Sequence, residues 1–218
     1  MTRVDLTRLR QAVYRLAGAG FLAPSPQTTL GTAGSIPILS DLGLFDFPYS
    51  LALVDYIHRL ADSDFDELTA AYMALFEVGV GGAACPPTES AWRSDARTGG
   101  VATLQSELRR TLLGYGLRPT SRAGHGVDHV SVELDVMSSL CAEEGNRLVE
   151  HRPTDRIRAA QRDFLSRHLG PWIPAFTAAV CATDRHPVYT ALASATHALV
   201  VHDAELVSDL DDSMETVR

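Results

Sequence analysis

The sequence predicts an all-α protein, a helical bundle of two lobes joined by a hinge. Three observations predict it. Apolar residues recur at three- and four-residue spacing along several segments. No run of β-branched residues alternates with period two, so strands are not expected. Caps and breakers (Asp-x-x-Glu, Gly, Pro) punctuate the chain where helices should start and stop. At 218 residues the chain can form one large domain or two small ones around a proper core, and 45% hydrophobic content is ordinary for a globular protein.

Residues 2–22 read as the first helix, with Thr2 as N-cap and Leu6, Leu9, Val13 and Leu16 on one face. Arg8, Arg10 and Arg15 precede the apolar run Leu16–Ala23, but that run is short and starts directly at Arg15. An amphipathic helix fits better than an export signal, which places the protein in the cytoplasm. Pro24 and Pro26 stop this helix, and residues 24–48 read as loop with short helical turns. A short helix follows from Leu51 to Leu60. Asp64-Phe65-Asp66-Glu67 caps the next one, which runs to about Glu77 with Phe65, Leu68, Tyr72, Leu75 and Phe76 on its apolar face. Residues 78–87 form a Gly-rich loop without the GxxxxGK[ST] pattern of a phosphate cradle. A helix from Val101 to Tyr115 is stopped by Gly116 and Pro119. Residues 118–127 are the expected hinge, separating an N-terminal lobe (1–117) from a C-terminal lobe (128–218). In the second lobe a helix runs from Asp128 to about Glu144. Another spans about 154–169 and is broken by Gly170-Pro171. A third carries Trp172, Phe176 and Val180, with Pro174 in its first turn. The last runs from Pro187 to about His202, before an acidic tail (Asp209, Asp211, Asp212, Glu215) expected to be solvated or frayed.

Composition narrows the function classes. The net charge of −8 argues against a nucleic-acid binder and favours a basic ligand. All 19 basic residues are Arg. Cys85, Cys141 and Cys181 are odd in number, far apart and form no CxxC, against a disulfide scaffold or zinc ribbon. No apolar run approaches the ~20 residues that span a bilayer, so no stable membrane insertion is expected.

The helix beginning at Asp128-His129 carries a conflict. Val130, Leu134, Met137 and Cys141 share one column, flanked by Val136 and Leu140. Glu133 falls inside that apolar sector, with His129 one turn before it, while Asp128, Ser131, Asp135 and Ser138 take the opposite, wet face. A carboxylate on a buried face needs a partner or a function. For Glu133 the bland reading is a structural polar tie to His129 or to an Arg of another helix. Asp128 is either an N-cap or a receptor for a cation. His125, His129 and Glu133 are spaced four apart, but Gly124 and Gly126 put His125 outside the helix, and His202-Asp203 lacks supporting ligands. No metal site or cofactor is expected. Ser90 and Cys85 lack the context of a nucleophile. Tyr72, Leu75, Phe76, Pro86, Pro87 and Trp92 are either core or the wall of a groove.

Taken in order, these segments resemble the TorD/DmsD/NarJ family of maturation chaperones for molybdenum-cofactor enzymes. Tyr14-Arg15-Leu16 with Phe21 and Pro24 is similar to the family's first helix. Tyr72-Met73-Ala74-Leu75-Phe76 resembles its Tyr-x-x-Leu-Phe motif, and Cys85-Pro86-Pro87-Thr88-Glu89-Ser90 its Pro-Pro-Tyr-Glu-Ser motif. Asp128-His129-Val130-Ser131-Val132-Glu133-Leu134 with Met137 resembles its Asp-His-x-x-x-Glu-Leu-x-x-Met helix. Phe164-Leu165, His168-Leu169, Trp172 and Phe176 match its C-terminal pattern. Two positions depart: Thr88 replaces an aromatic, and Val127 a proline. The resemblance implies a non-enzymatic cytoplasmic chaperone, a monomer or a domain-swapped dimer. Its partners would be the twin-arginine signal peptide and the apo catalytic subunit of a molybdopterin oxidoreductase. Asp128, His129 and Glu89 would meet the arginines, and Tyr72, Leu75, Phe76, Pro86, Pro87 and Trp92 the apolar stretch. The other readings are a metal-dependent hydrolase on a helical bundle and a helical adaptor without leader specificity.

Overall fold

A computed structural model describes residues 1–77, 82–93, 100–118 and 125–215. Of the expected hinge, residues 119–124 lie outside that set, as do 78–81 of the Gly-rich loop. Eleven helices are defined among the described residues, with no strand: α1 Arg3–Gly20, α2 Pro26–Ala33, α3 Ile36–Asp41, α4 Ser50–Ala61, α5 Phe65–Tyr72, α6 Glu89–Trp92, α7 Val101–Gly114, α8 Val130–Val149, α9 Asp155–Phe164, α10 Gly170–Thr183 and α11 Pro187–Glu215. Among them no helix is long and apolar enough to cross a membrane.

Local chemistry sets most helix starts. Thr2 Oγ1 accepts from Asp5 N at 3.1 Å while Asp5 Oδ2 accepts from Thr2 N at 3.1 Å, a reciprocal box that begins α1. Asp64 Oδ1 accepts from both Asp66 N and Glu67 N, at 2.9 and 3.0 Å, so one carboxylate satisfies two free amides of α5. The helical turns expected within 24–48 are more extensive than a loop allows: α2, α3 and a 3₁₀ turn at Leu44–Asp46 occupy most of the segment. Pro26 and Pro37 sit in the first turns of their helices, where a missing N–H costs nothing. Leu39 and Leu44 then hold the segment down in the core.

Three boundaries also move. Helix α8 continues past Glu144 because Gly145 packs against α1; a Cβ there would lie 2.9 Å from Thr7 Oγ1. Helix α11 runs on past His202, anchored by the buried Asp203 and Val207. Gly170-Pro171 does not break the chain. A π turn at Leu165–Leu169 lets α9 pass straight into α10, with Gly170 N donating to Leu165 O. Pro171 cannot bond the carbonyl four residues back, and that carbonyl, Arg167 O, accepts from Arg93 Nη1 at 2.7 Å. Pro174 consequently lies inside a helix rather than in a first turn.

Helix α8 is the axis of the bundle. Its expected wet face is covered by α1, which lies along it. Ser131 and Ser138 are buried there, and Ser138 Oγ donates to Gln11 O at 3.0 Å. A second pairing sets α11 against α4 and α10. Where α1, α8, α9 and α11 meet, Arg10 is fully enclosed. Its Nε and Nη2 donate to the two oxygens of Asp203 at 2.6 and 2.9 Å, and Nη2 also reaches Gln161 Oε1 at 2.7 Å. Arg10 Nη1 lies 3.3 Å from Glu144 Oε2, and Arg158 Nε lies 3.7 Å from Glu144 Oε1. Tyr14 Oη donates to Asp203 at 2.8 Å. Asp203 is thus an ion-pair partner, not half of a metal-binding His-Asp pair.

Candidate functional site

The Cys85–Ser90 and Asp128–Glu133 motifs, about forty residues apart in sequence, are stitched together by main-chain bonds. Glu89 N donates to Asp128 O at 2.8 Å, Val130 N donates to Pro87 O at 2.9 Å, and Thr88 faces His129 in an antiparallel bridge. Cys85 N donates to Leu75 O at 2.8 Å, inside a π turn at Met73–Glu77 that ends α5. The Tyr72–Phe76 motif is therefore tied to the same strip.

This stitching gathers acids in the interior. Glu89 is fully buried; Arg93 Nη1 donates to its Oε1 at 2.6 Å and His168 Nδ1 lies 3.2 Å from its Oε2. Asp128 is 1% exposed and accepts from Ser90 Oγ at 2.6 Å and from Gln105 Nε2 at 2.8 Å. It is not the N-cap of α8. His129 is, through an Nδ1 that accepts from Ser131 N at 3.2 Å. That bond places the ring proton on Nε2, which is buried and has no partner. The ring stacks on His125 at 4.1 Å. Burial, and then the neighbouring His125, push the His129 pKa down to about 4 against the pull of Asp128, so the ring is neutral at pH 7.

Glu133 is fully buried and accepts from Trp172 Nε1 at 3.0 Å, leaving Oε1 without a partner. Among the described residues neither His129 nor an arginine pairs with it, contrary to the sequence-based expectation. Burial, and then repulsion from Glu89, hold its carboxyl well above the usual carboxylate range against the Trp172 bond, so Glu133 keeps its proton. Among the described residues no three His, Cys, Asp or Glu side chains are arranged to hold a metal ion.

The aromatic half of the expected site lies behind this cluster. Tyr72, Leu75 and Phe76 are buried, as is Pro87, whereas Pro86 and Trp92 are half-buried. Trp92 Nε1 donates to Pro86 O at 2.7 Å, which fixes the indole over the proline pair. Phe176 is the hub: its ring centroid lies 5.5 Å from Phe21, 6.2 Å from Phe76, 5.9 Å from Trp92 and 5.3 Å from Trp172. The motif segments thus converge on one aromatic knot with the acids beside it. Sequence reasoning missed Gln105, which no local pattern marks. It also left Ser90, Arg93, His168 and Trp172 out of the expected site, although they stand within or next to the motifs.

With this geometry in place, similarity to known proteins carries weight. The family model described as nitrate reductase delta subunit matches residues 48–178. The chain is 29% identical to the selenate reductase assembly chaperone protein of Thauera selenatis over 166 residues, covering 76% of this chain and 77% of that one. It is 27% identical to the chaperone protein TorD of Vibrio cholerae serotype O1, covering 72% and 71%. The perchlorate reductase assembly chaperone protein of Dechloromonas aromatica is 26% identical, with 96% and 95% covered. The crystal structure of a protein from Archaeoglobus fulgidus described as a redox enzyme maturation protein superposes with a TM-score of 0.56 at 18% identity, covering 86% of this chain and 90% of that one, and supports the fold. Since the family model spans more than half of its length, the chain belongs to the nitrate reductase delta subunit family, the TorD/NarJ family of assembly chaperones.

Proposed function

We propose that this chain is a cytoplasmic maturation chaperone for a molybdopterin oxidoreductase. It acts by binding the apo catalytic subunit through its twin-arginine leader, not by catalysis. The assembly-chaperone relatives support the role. The observation that carries the leader reading is the acid excess of the buried cluster: among the described residues Glu89 and Asp128, beside the protonated Glu133, stand against one guanidinium, Arg93. Asp128 is the proposed reader. Ser90 and Gln105 already place donors on both of its oxygens, the arrangement that a planar guanidinium reproduces with two parallel N–H bonds. Glu89, one backbone bond away, supplies the second carboxylate. Pro86 and Trp92 are the accessible apolar part of this site. The proposal includes the division into lobes of residues 1–117 and 128–218.

Titration of the purified chain with a twin-arginine leader, against the same peptide with both arginines replaced by Gln, tests this reading. The Gln peptide should bind at least ~10-fold more weakly. Asp128→Ala should cost the arginine peptide ~30-fold or more, because truncating one partner of a desolvated charge pair costs ~2–5 kcal/mol, at ~1.4 kcal/mol per tenfold. Equal affinity for the two peptides sinks the leader reading. An unchanged affinity of Asp128→Ala sinks the residue assignment alone.

A further inference from the structure

Helices α10 and α11 leave an open groove beside Pro48, with a volume of about 520 Å³. That is within the ~300–1,000 Å³ range of binding clefts. Thr177, Ala178 and Cys181 of α10 form one wall, and Ser194, Ala198 and Val201 of α11 the other. The small side chains let a guest backbone come close. Ala178 is exposed and Val201 is 43% exposed, so the apolar lining is open to solvent.

The two ends differ. At one, Cys181 Sγ lies 3.7 Å from both Thr190 O and Ser194 Oγ, which closes α10 onto α11. At the other stands the exposed Glu205, about three turns further along α11. His202 lines the same end, and its Nε2 is without a partner. Beyond Glu205 the sequence of the helix continues with Asp209, Asp211, Asp212 and Glu215. Because the helices are antiparallel, the acidic end lies toward the start of α10. From there the π turn carries His168 to Glu89.

We propose that this groove, rather than the Tyr72–Phe76 face, receives the apolar stretch of the leader as a helix, with the basic flank of that stretch toward Glu205. The inference rests on the leader-binding reading above. Tyr72, Leu75 and Phe76 are packed in the core and offer no open surface, whereas the groove is mainly apolar along its walls, with His197 among its lining, and acidic at one end. That pattern complements a short apolar helix with arginines on one side, the helix-in-groove mode of peptide recognition. An acidic flank would be repelled, since like charges facing each other across an interface disfavour the wrong partner.

The test uses the full-length chain and a fluorescein-labelled synthetic twin-arginine leader, read by anisotropy. Ala178→Trp fills the groove from an exposed position. Leu113→Trp, at a side chain that is 62% exposed and not part of the groove, is the control. Ala178→Trp should weaken binding at least ~10-fold, and by the same factor for the peptide with both arginines changed to Gln, because the groove reads the apolar part. Leu113→Trp should leave affinity unchanged. Glu205→Arg should weaken the arginine peptide ~3–10-fold and spare the Gln peptide, an effect that high salt removes. If the wild-type chain binds the leader and Ala178→Trp binds it equally well, the groove is not the site while the leader reading stands. If the wild-type chain binds no leader, both fall. If the wild-type chain is a dimer that Ala178→Trp dissociates without loss of leader affinity, a second copy fills the groove and the proposal is overturned.

Discussion

Arg10, Arg158, Glu144 and Asp203 meet in the middle of the bundle with two positive and two negative side chains. At the other polar centre, Glu89, Asp128 and Glu133 lie near a single arginine among the described residues. Both centres are buried, and both join segments far apart in sequence. They differ in charge balance. The first balances its charges internally, with Gln161, Tyr14 and Thr154 adding further bonds, and so fastens α1, α8, α9 and α11 to one another. The second limits its excess by keeping Glu133 protonated, while the neutral His129 offsets none of it, and it retains unpartnered polar atoms on both residues. A balanced centre fixes the fold. An unbalanced one carries a cost in stability that the protonation of Glu133 limits, and on the proposed reading it is there to receive a cation.

The contrast can be broken first by removing charge from each centre. Arg10→Met, which leaves Asp203 and Glu144 without their shared partner, should destabilise the chain by ~3–5 kcal/mol, and Glu144→Gln should approach that loss. Urea denaturation measures both. A cost below ~1 kcal/mol would show that this network does not fasten the bundle.

Acidification addresses the second centre. The pKa of His129 is about 4 in the folded chain, against ~6.5 for an ordinary histidine. The unfolded chain therefore binds a proton that the folded one does not, and stability should fall as pH drops from ~6.5 through about 4, by ~3 kcal/mol in all. His129→Asn keeps an acceptor at the N-cap but does not titrate, so that part of the acid sensitivity should vanish. A variant as acid-sensitive as the wild type would assign the loss elsewhere.

The smallest effect should come from Glu133→Gln. The native residue is already neutral and accepts one bond from Trp172, which the amide oxygen can also accept. The change should stay within ~1 kcal/mol at pH 7. The raised pKa of Glu133 also gives it a sign: its stabilising contribution is present below the ordinary Glu pKa and is lost as pH rises toward the folded value. Glu133→Gln should therefore gain on the wild type as pH rises. A loss as large as that of Glu144→Gln would mean that Glu133 is ionised and paired, and the contrast would fail.

Much of the fold is legible one segment at a time. Thr2 and Asp64 announce their helices because an N-cap is a local bond, satisfied within three residues. The periodicity of Val130, Leu134, Met137 and Cys141 marks a buried column because helical geometry repeats along the chain. The failures occur where a distant segment changes the local outcome. Gly170-Pro171 reads as a break, but Arg93, nearly eighty residues away, donates to the carbonyl that the proline leaves free. Ser131 and Ser138 read as wet until α1 covers them.

The candidate site divides in the same way. Local pattern along the chain establishes the helical class, the family motifs and the presence of a carboxylate out of place at Glu133. Packing sets the rest: Trp172 meets that carboxylate, Asp203 belongs to Arg10, Gln105 and Ser90 hold Asp128, and an open, mainly apolar groove lies between α10 and α11. The physical reason is range. Caps and periodicity are fixed by the backbone within one or two turns, whereas the partner of a buried charge is whichever group the packed helices bring within about 3 Å.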